Sequence, residues 1–279
     1  MTSVIIGLLA ETGLHPGTES SSGVVDLPVA REATTSYPVL VGSGVKGALR
    51  EAYENYCVTK SIPDRSNQIF GAPDGAGGVS VTDGRLLLLP VRSLNTNYRW
   101  VTCPYILERL WRDLRLARLN GEFPIPHPPK AEAVAIAEEK IYLEELSFTV
   151  NQDEQSINML IDLIKPLVLH QAVRDRLASQ LVIVNDDDFK HFAGYGLPVN
   201  ARNILDKKKK TSTNLWYEEI IPADSLFYTI LIPRWGKKEM LIELLEIFAE
   251  HPYLQVGGNE TVGQGWCALS GWEGGQADD

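Results

Sequence analysis

The stretch that most constrains the fold is "PVLVGSGVKGALREAY", residues 38–53. A short β-branched run leads into Gly42, Gly44 and Gly47, and a helical pattern follows at once. We predict a strand over 38–42, a helix over 45–57 and a glycine turn between them. This arrangement is typical of a phosphate site, because the amides and the dipole of a helix N-terminus favour an anion.

The three glycines also satisfy the G-x-G-x-x-G pattern of dinucleotide-binding proteins, so an oxidoreductase remains an alternative. That fold requires an acid at the end of a second strand, about 20 residues further on. The candidate acid is Asp64, which follows Pro63 in a stretch without strand character. A Walker A loop is excluded because no Lys-Ser/Thr pair follows Gly47. Lys46 and Arg50 lie one helical turn apart and suit a phosphodiester oxygen.

Composition indicates an ordinary globular protein, with 44% hydrophobic and 22% charged residues among 279. Residues 3–10 are apolar, but no run approaches the roughly 20 residues that span a bilayer. We interpret them as a buried first strand. Cys57, Cys103 and Cys267 are scattered, with no C-x-x-C pair. This spacing argues against a cysteine zinc site and a disulfide framework, and it favours a cytoplasmic location.

The formal net charge of -10 argues against a free-standing nucleic-acid binder. The charges are nevertheless segregated along the chain. Residues 131–154 carry seven acids and one lysine, whereas residues 85–118 carry seven arginines and two acids. A second basic segment, residues 201–211, contains Arg202 and four consecutive lysines. This pattern suits a subunit with one nucleic-acid face, and ordinary solvated charge remains the alternative.

Element order predicts an α+β fold with an antiparallel sheet of ferredoxin-like type, interrupted by insertions. Helical patterns occupy 104–119, pieces of 155–181 interrupted at Pro166, and 237–249. We predict a hairpin through Asp83-Gly84, a strand within 138–150, and a strand followed by a short helix within 181–192. A long hairpin with a lysine tip is predicted over 195–222, a strand over 225–232, and a last pair of strands around a glycine loop over 253–272.

Four ordered stretches resemble the RAMP superfamily. They are "LHPGTESSSGVVDLPVARE", "YPVLVGSGVKGALREAY", "NLWYEEIIPADSLFYTIL" and "LQVGGNETVGQGW". They are most similar to the repeated backbone subunit of type III-B CRISPR effector complexes, the Cmr complex. Residues 92–180 match only loosely.

The resemblance implies an RRM-like (ferredoxin-like) palm, a β-hairpin thumb and helical insertions. It implies one domain over 1–271, with an insertion of helical and acidic character at 92–180, a thumb at 195–222 and a flexible tail at 272–279. It further implies that copies stack along a guide RNA (crRNA) in a helical filament with other subunits. Each copy would cut a paired target RNA once, at regular intervals, with a divalent metal ion (Mg or Mn).

The resemblance places the catalytic aspartate at Asp26, in "GVVDLP". A carboxylate on a loop suits deprotonation of a 2′-hydroxyl or binding of a metal ion that RNA phosphate completes. His15 matches an H-x-G element that binds RNA or assists proton transfer, and a structural role is the alternative. Glu218 and Glu219 either assist Asp26 or pair with basic residues inside the fold or on a neighbouring copy. The predicted RNA contacts are His15, Gly42, Ser43, Gly44, Lys46, Gly47, Arg50, Arg202, Lys207, Lys208, Lys209, Lys210, Trp216, Gly258, Gly263 and Gly265.

Three alternatives stay open at this point. The first is a structural backbone subunit of the same architecture that does not cut. The second is a guide-processing nuclease of the same superfamily, which would act by general acid–base groups without metal. The third is the oxidoreductase.

Overall fold

The structure is a computed structural model that describes residues 3–17, 25–119, 121–136, 138–205, 209 and 211–272. Its strands are β1 (Val4–Ala10), β2 (Val39–Leu40), β3 (Gly71–Ala72), β4 (Gly75–Ala76), β5 (Val79–Val81), β6 (Gly84–Arg92), β7 (Tyr98–Thr102), β8 (Glu132–Ala135), β9 (Lys140–Leu143), β10 (Leu146–Gln152), β11 (Leu181–Val184), β12 (Val199–Leu205), β13 (Ser212–Glu219), β14 (Leu226–Pro233), β15 (Tyr253–Gln255) and β16 (Trp266–Trp272). Its α-helices are α1 (Gly42–Lys60), α2 (Ser66–Phe70), α3 (Pro104–Ala117), α4 (Glu154–Ile164), α5 (Gln171–Gln180), α6 (Asp186–Tyr195) and α7 (Lys238–Glu250). Short 3-10 helices occupy Lys165–Leu167 and Glu260–Val262.

The centre of the molecule is four antiparallel strands in the order β16, β1, β14, β6. All seven residues of β1 are buried, as expected for an apolar run covered on both faces. Helix α1 lies between β1 and β6 in the chain, and α7 lies between β14 and the last two strands. Helix α1 buries Val45, Leu49, Tyr53 and Cys57, which recur every four residues and form one apolar stripe.

The sheet continues beyond β6 through β7, β11, β8, β10 and β9. Residues 92–180 therefore contribute strands β7 to β10 as well as helices α3 to α5, and their predicted helical character is incomplete. The single strand predicted within 138–150 is wrong, because the segment folds back at Glu144, which has a φ of 49°, into the antiparallel pair β9–β10. Two pairs of strands in this sheet, β7–β11 and β8–β10, are parallel, and its other pairs are antiparallel. The whole sheet is therefore mixed but mostly antiparallel.

The hairpin predicted through Asp83-Gly84 is wrong. Strands β5 and β6 do not pair with each other; both pair with β14, through Val81–Leu231 and Leu88–Leu226. Asp83 instead caps the first helix, because its carboxylate accepts a hydrogen bond from the Gly42 amide at 2.7 Å. The Asp83-Gly84 turn signal thus separates two consecutive strands, β5 and β6, that both pair with β14.

The glycine motif lies inside α1, which begins at Gly42 and not at 45 as predicted. The strand before it, β2, has two residues and pairs antiparallel with β6. A dinucleotide-binding unit needs a strand, a crossover helix and a parallel strand. The antiparallel pairing contradicts the oxidoreductase alternative.

The predicted hairpin forms a two-stranded sheet of its own, β12–β13. Most of the residues in its arms are exposed, whereas Glu218, Glu219 and Ile220 at its base are buried. Lys209 lies in an exposed turn at the tip, and Lys207, Lys208 and Lys210 fall outside the described residues. The predicted tail at 272–279 also falls outside them, apart from the backbone of Trp272.

The arginine-rich segment 85–118 does not form a continuous basic face. Four of its seven arginines make ion pairs with acids within the described chain: Arg85–Asp113, Arg92–Glu144, Arg99–Glu138 and Arg109–Glu32. The three cysteines are unpaired and buried. Among the described residues, no helix has the length and apolar character needed to cross a membrane.

Candidate functional site

Asp26 lies against the base of the hairpin. Its Oδ2 accepts a hydrogen bond from the Tyr217 amide at 2.8 Å. The neighbouring Leu27 extends this contact as a short parallel bridge, donating to the Tyr217 carbonyl and accepting from the Glu219 amide. The half-buried carboxylate of Asp26 is thereby fixed beside strand β13, although the two residues lie 191 positions apart in the chain.

Glu218, the residue after Tyr217 in β13, is buried and accepts three hydrogen bonds. The indole of Trp216 donates at 2.8 Å, the guanidinium of Arg202 at 2.9 Å and the amide of Asn259 at 3.1 Å. Burial raises the pKa of Glu218, but these three donors outweigh it and hold the pKa below its usual value. Both carboxylate oxygens of Glu218 therefore accept hydrogen bonds from within the chain. These partners match the predicted alternative in which Glu218 pairs with a basic residue inside the fold.

Glu219 is bound in a similar way on the other side of the strand. Arg31 forms an ion pair with it at 2.6 Å, and the Val29 amide donates to its other oxygen at 3.1 Å. The Glu219 carbonyl lies 2.9 Å from Nδ1 of His15, which is buried. These contacts match the structural alternatives for Glu219 and His15, and an RNA contact by His15 stays a prediction.

The C-terminal glycine loop packs onto the same place. The Gly258 amide donates to the His15 carbonyl at 2.9 Å, and the Gly265 amide donates to the Gly13 carbonyl at 3.0 Å. Asn259, within this loop, reaches Glu218. Gly263 is exposed at the far end of the loop. Contact of Gly258, Gly263 and Gly265 with RNA stays a prediction, while two of them join loops of the chain.

The two aromatic residues of β13 face opposite ways, as alternation along a strand requires. Trp216 is half-buried and held by Glu218, whereas the Tyr217 side chain is 43% exposed. Arg202 lies opposite Trp216 in the hairpin register and shares the same glutamate. The exposed ring next to Asp26 is therefore that of Tyr217. The sequence allows either Trp216 or Tyr217 to stack on a base, and contact of either ring with RNA stays a prediction.

The start of α1 presents a second surface. Ser43, Gly44 and Gly47 are exposed, and Lys46 is half-buried beside them. A Cβ built on Gly44 or on Gly47 meets no atom within 4 Å. Glycine inside a helix costs about 0.5–1 kcal/mol relative to alanine, and the surrounding fold gives neither residue a reason to be glycine. Close approach by an external molecule would supply one.

Two other predicted contacts of α1 are occupied within the chain. The Gly42 amide is bound by Asp83, and a Cβ at Gly42 would lie 3.1 Å from atoms of residues 82 and 83. The Arg50 guanidinium is held by Glu54, the Gly71 carbonyl and Asn67. We therefore leave Gly42 and Arg50 out of the proposed contact set.

The described residues contain no group of three or more His, Cys, Asp or Glu side chains arranged to hold a metal ion. Glu218 and Glu219 are committed to internal donors, which leaves Asp26 as the carboxylate at the hairpin base. Magnesium often binds one or two protein carboxylates together with substrate phosphates. The residues present thus fit a site that RNA would complete.

Sequence reasoning missed three residues that build these surfaces: Arg31, Asp83 and Asn259. Asp83 was interpreted as a turn residue, and the ion-pair partner of Arg31, Glu219, lies 188 residues away in the chain. Asn259 lies inside the quoted glycine motif, where a polar side chain among glycines was an available signal.

Comparison with known proteins shows similarity over nearly the whole chain. A model of the RAMP superfamily matches residues 8–268. The "CRISPR system Cmr endoribonuclease Cmr4" of Pyrococcus furiosus is 34% identical over 288 residues, which cover 97% of this chain and 96% of the relative. The "CRISPR system CMR subunit Cmr4" of Saccharolobus solfataricus is 26% identical, with 93% of each chain covered.

Solved structures agree with the fold. The crystal structure of oligomeric Cmr4 from Pyrococcus furiosus has a TM-score of 0.77 at 29% identity, covering 97% of this chain and 98% of that one. A type III-B Cmr-beta complex bound to cognate target RNA, solved by cryo-EM, contains a chain with a TM-score of 0.76 at 21% identity, with 97% of each covered. From the family match and the 34% identical relative, we conclude that the chain belongs to the RAMP superfamily.

Proposed function

We propose that this chain is a guide-RNA-binding filament subunit of a type III-B CRISPR effector complex. In this proposal it cleaves complementary target RNA at regular intervals, one cut per copy, and Asp26 carries the cleavage step. A relative of nearly equal length that is named an endoribonuclease supports the activity. A similar protein solved as an oligomer supports the filament. A cytoplasmic location is an expectation that rests on the unpaired cysteines.

The strand order supports an RRM-like palm. Strands β16, β1, β14 and β6 are antiparallel neighbours, with α1 and α7 as the two connecting helices. A strand–helix–strand unit repeated in this way is the ferredoxin-like arrangement. We assign β12–β13 as the thumb, because its arms are exposed and its base is bound to the first loop through Leu14–Ile221 and Leu27–Glu218.

The observation that carries the proposal is the fixed position of Asp26 at the thumb base. A thumb inserted between guide and target would bring the kinked target backbone to that base. Cleavage by the RNA's own 2′-hydroxyl needs removal of its proton, in-line geometry and neutralised charge on phosphate. The Tyr217 amide holds one oxygen of Asp26, so the carboxylate is oriented before RNA arrives.

Two roles fit this carboxylate, namely general base and ligand of a divalent metal completed by phosphate. When bound, Mg²⁺ or Mn²⁺ would neutralise charge on the phosphate. A target with a phosphorothioate at the cut site separates the roles. Slow cutting in Mg²⁺ that Mn²⁺ restores supports the metal-ligand role, and cutting without any divalent ion supports the base.

The test is cleavage of complementary RNA by a reconstituted complex that carries Asp26→Asn. Loss of a general acid–base group typically slows a reaction by about 10²–10⁴-fold, and we expect a loss of that order. Guide and target binding should be unchanged, because the substitution is isosteric and keeps an acceptor for the Tyr217 amide. Asp187→Asn removes an exposed acid at the start of α6 and is the matched control.

The remaining alternatives give different outcomes. A scaffold that does not cut predicts cleavage by the complex that is indifferent to Asp26. A guide-processing nuclease predicts cleavage of repeat RNA by the protein itself in the presence of a chelator. Either result would replace the proposed activity and leave the fold assignment intact.

A further inference from the structure

The turn between β14 and α7 carries an unusually exposed aromatic residue. Trp235 is 91% exposed, more than any other large hydrophobic side chain that the structure describes. It follows Arg234 and precedes Gly236, whose φ of 71° closes the turn before Lys237. An indole left in water needs an explanation outside the core, because burying a large aromatic side chain is strongly favourable.

Trp235 lies at the end of a groove that begins at α1. Lys46, Arg50 and Arg234 line one part of the groove, together with the glycine-rich segment 71–77. Arg234, Trp235 and Lys237 line the adjoining part, and residues 76 and 77 belong to both. The two parts also share Arg234, so their lining extends from Lys46 of α1 to the indole of Trp235.

Arg234 is positioned in the wall that the two parts share. Its amide donates to the Gly78 carbonyl at 2.8 Å, and its guanidinium makes only long contacts, at 3.3 and 3.4 Å, with carbonyls of residues 77 and 76. Arg50 in turn binds the Gly71 carbonyl and supports the same segment. Among the described residues, the guanidinium of Arg234 thus has no short hydrogen bond, and Arg234 lines both parts of the groove.

The groove carries cations that have no acidic partner among the described residues. Arg31 and Arg202 at the hairpin base, by contrast, are neutralised by Glu219 and Glu218. Within the part of the chain that the structure describes, Lys46, Arg234 and Lys237 form no ion pair with a carboxylate. These three cations outnumber Asp74, an exposed acid in the same lining, and a surface of net positive charge is complementary to a polyanion.

We propose that this groove binds single-stranded RNA, with Trp235 stacking on a base and Arg234 and Lys237 binding the adjacent phosphates. The inference rests on the proposed function and extends the RNA path from Lys46 across the molecule. A cationic groove that tracks the backbone and ends in an aromatic platform is how proteins hold single strands without reading sequence. Guide RNA of any sequence could then occupy it, as guide-directed recognition requires.

The test uses the full chain, fluorescently labelled oligouridylate and a series of salt concentrations. Trp235→Ala should weaken binding about 5- to 100-fold, the usual effect of removing one stacking platform, without changing the salt dependence. Arg234→Ala combined with Lys237→Ala should make the slope of log affinity against log salt shallower by about 1.4, or 0.7 for each phosphate that is no longer neutralised. Tyr195→Ala and Lys190→Ala, an exposed aromatic and an exposed cation on α6, should change neither quantity.

A second readout does not depend on affinity. Photocrosslinking of 4-thiouridine RNA followed by mass spectrometry should yield adducts on the peptide that contains Trp235. Wild-type affinity and slope in both variants, without adducts on that peptide, would overturn this inference alone. Loss of self-association in Trp235→Ala with RNA binding intact would assign the indole to an interface between copies and overturn it too. If the wild-type protein binds no RNA even when assembled, the proposed function fails with it.

Discussion

Two glycine-containing regions of this protein keep their glycines for different reasons. In the C-terminal loop, Gly265 has a φ of 94°, and a Cβ there would lie 2.7 Å from the Val256 carbonyl oxygen. In α1, Gly44 and Gly47 have helical neighbours and open space around them. The fold itself therefore requires glycine in the loop, whereas no described neighbour requires it at these two positions of the helix.

The largest effect on stability should come from the loop. Gly265→Ala combines a strained backbone with contact against a carbonyl, and we expect unfolding to become easier by about 2 kcal/mol or more. Urea denaturation measures this change. Gly263→Ala shares the positive φ but meets open space, so a loss of only about 1 kcal/mol should separate backbone strain from crowding. Equal stability of the Gly265 variant and the wild type would contradict the claim that the fold requires glycine in this loop.

The next effect concerns Glu218, which joins that loop to the hairpin. Glu218→Gln should cost about 1–3 kcal/mol at neutral pH, because charged hydrogen bonds from Arg202, Trp216 and Asn259 are weakened. The pKa of Glu218 is lowered in the folded protein, so its contribution is present above the unfolded pKa and is lost as pH falls through the folded value.

Unfolding measured between pH 7 and pH 3 should therefore show the gap between wild type and Glu218→Gln closing in acid. Glu139→Gln, at an exposed position, is the matched control and should show no gap at any pH. A gap that stays constant down to pH 3 would mean that the charge of Glu218 does not hold the loop.

The smallest effect has the opposite sign. Gly44→Ala and Gly47→Ala should each stabilise the free protein by about 0.5–1 kcal/mol, because alanine favours the helix and meets no neighbour. Both should weaken RNA binding, since the added methyl group stands where the backbone of RNA would approach. Thermal unfolding and RNA titration of the same variants measure the two effects.

Gly194→Ala is a closely matched control for this pair. Gly194 lies exposed in α6, and a Cβ there also meets nothing within 4 Å. We expect it to gain similar stability and to leave RNA binding unchanged. If the α1 variants bind RNA as well as Gly194→Ala does, their glycines are not a contact surface.

Much of the palm could be predicted from the sequence, because its strands and helices carry strong local patterns. Strand β1 is a continuous apolar run, α1 repeats its core residues every four positions, and Asn185 caps α6 before three aspartates. The strands within 92–180 were harder, since their partners are distant in the chain and two pairings are parallel. Asp83-Gly84 misled because a turn signal does not reveal which strand each side will join.

The site was predictable only in part, for a related reason. The resemblance named Asp26 and the hairpin, but the hydrogen bond between Asp26 and Tyr217 joins positions 191 residues apart and leaves no local trace. The partners of the two glutamates, Arg31, Arg202 and Asn259, come from three separate segments. Trp235 was overlooked because it belongs to none of the quoted motifs, and only its exposure in the folded chain distinguishes it.

The most direct test of the account measures binding and cutting separately in one reconstituted complex. Single-turnover cleavage at saturating target should be lost in Asp26→Asn while the affinity for RNA stays at the wild-type value. The double variant Gly44→Ala/Gly47→Ala should show the reverse, with weakened affinity and a wild-type rate once RNA saturates the complex. Wild-type cutting by the Asp26→Asn complex would contradict the assignment of chemistry to the thumb base, and wild-type affinity in the double variant would contradict the assignment of binding to the start of α1.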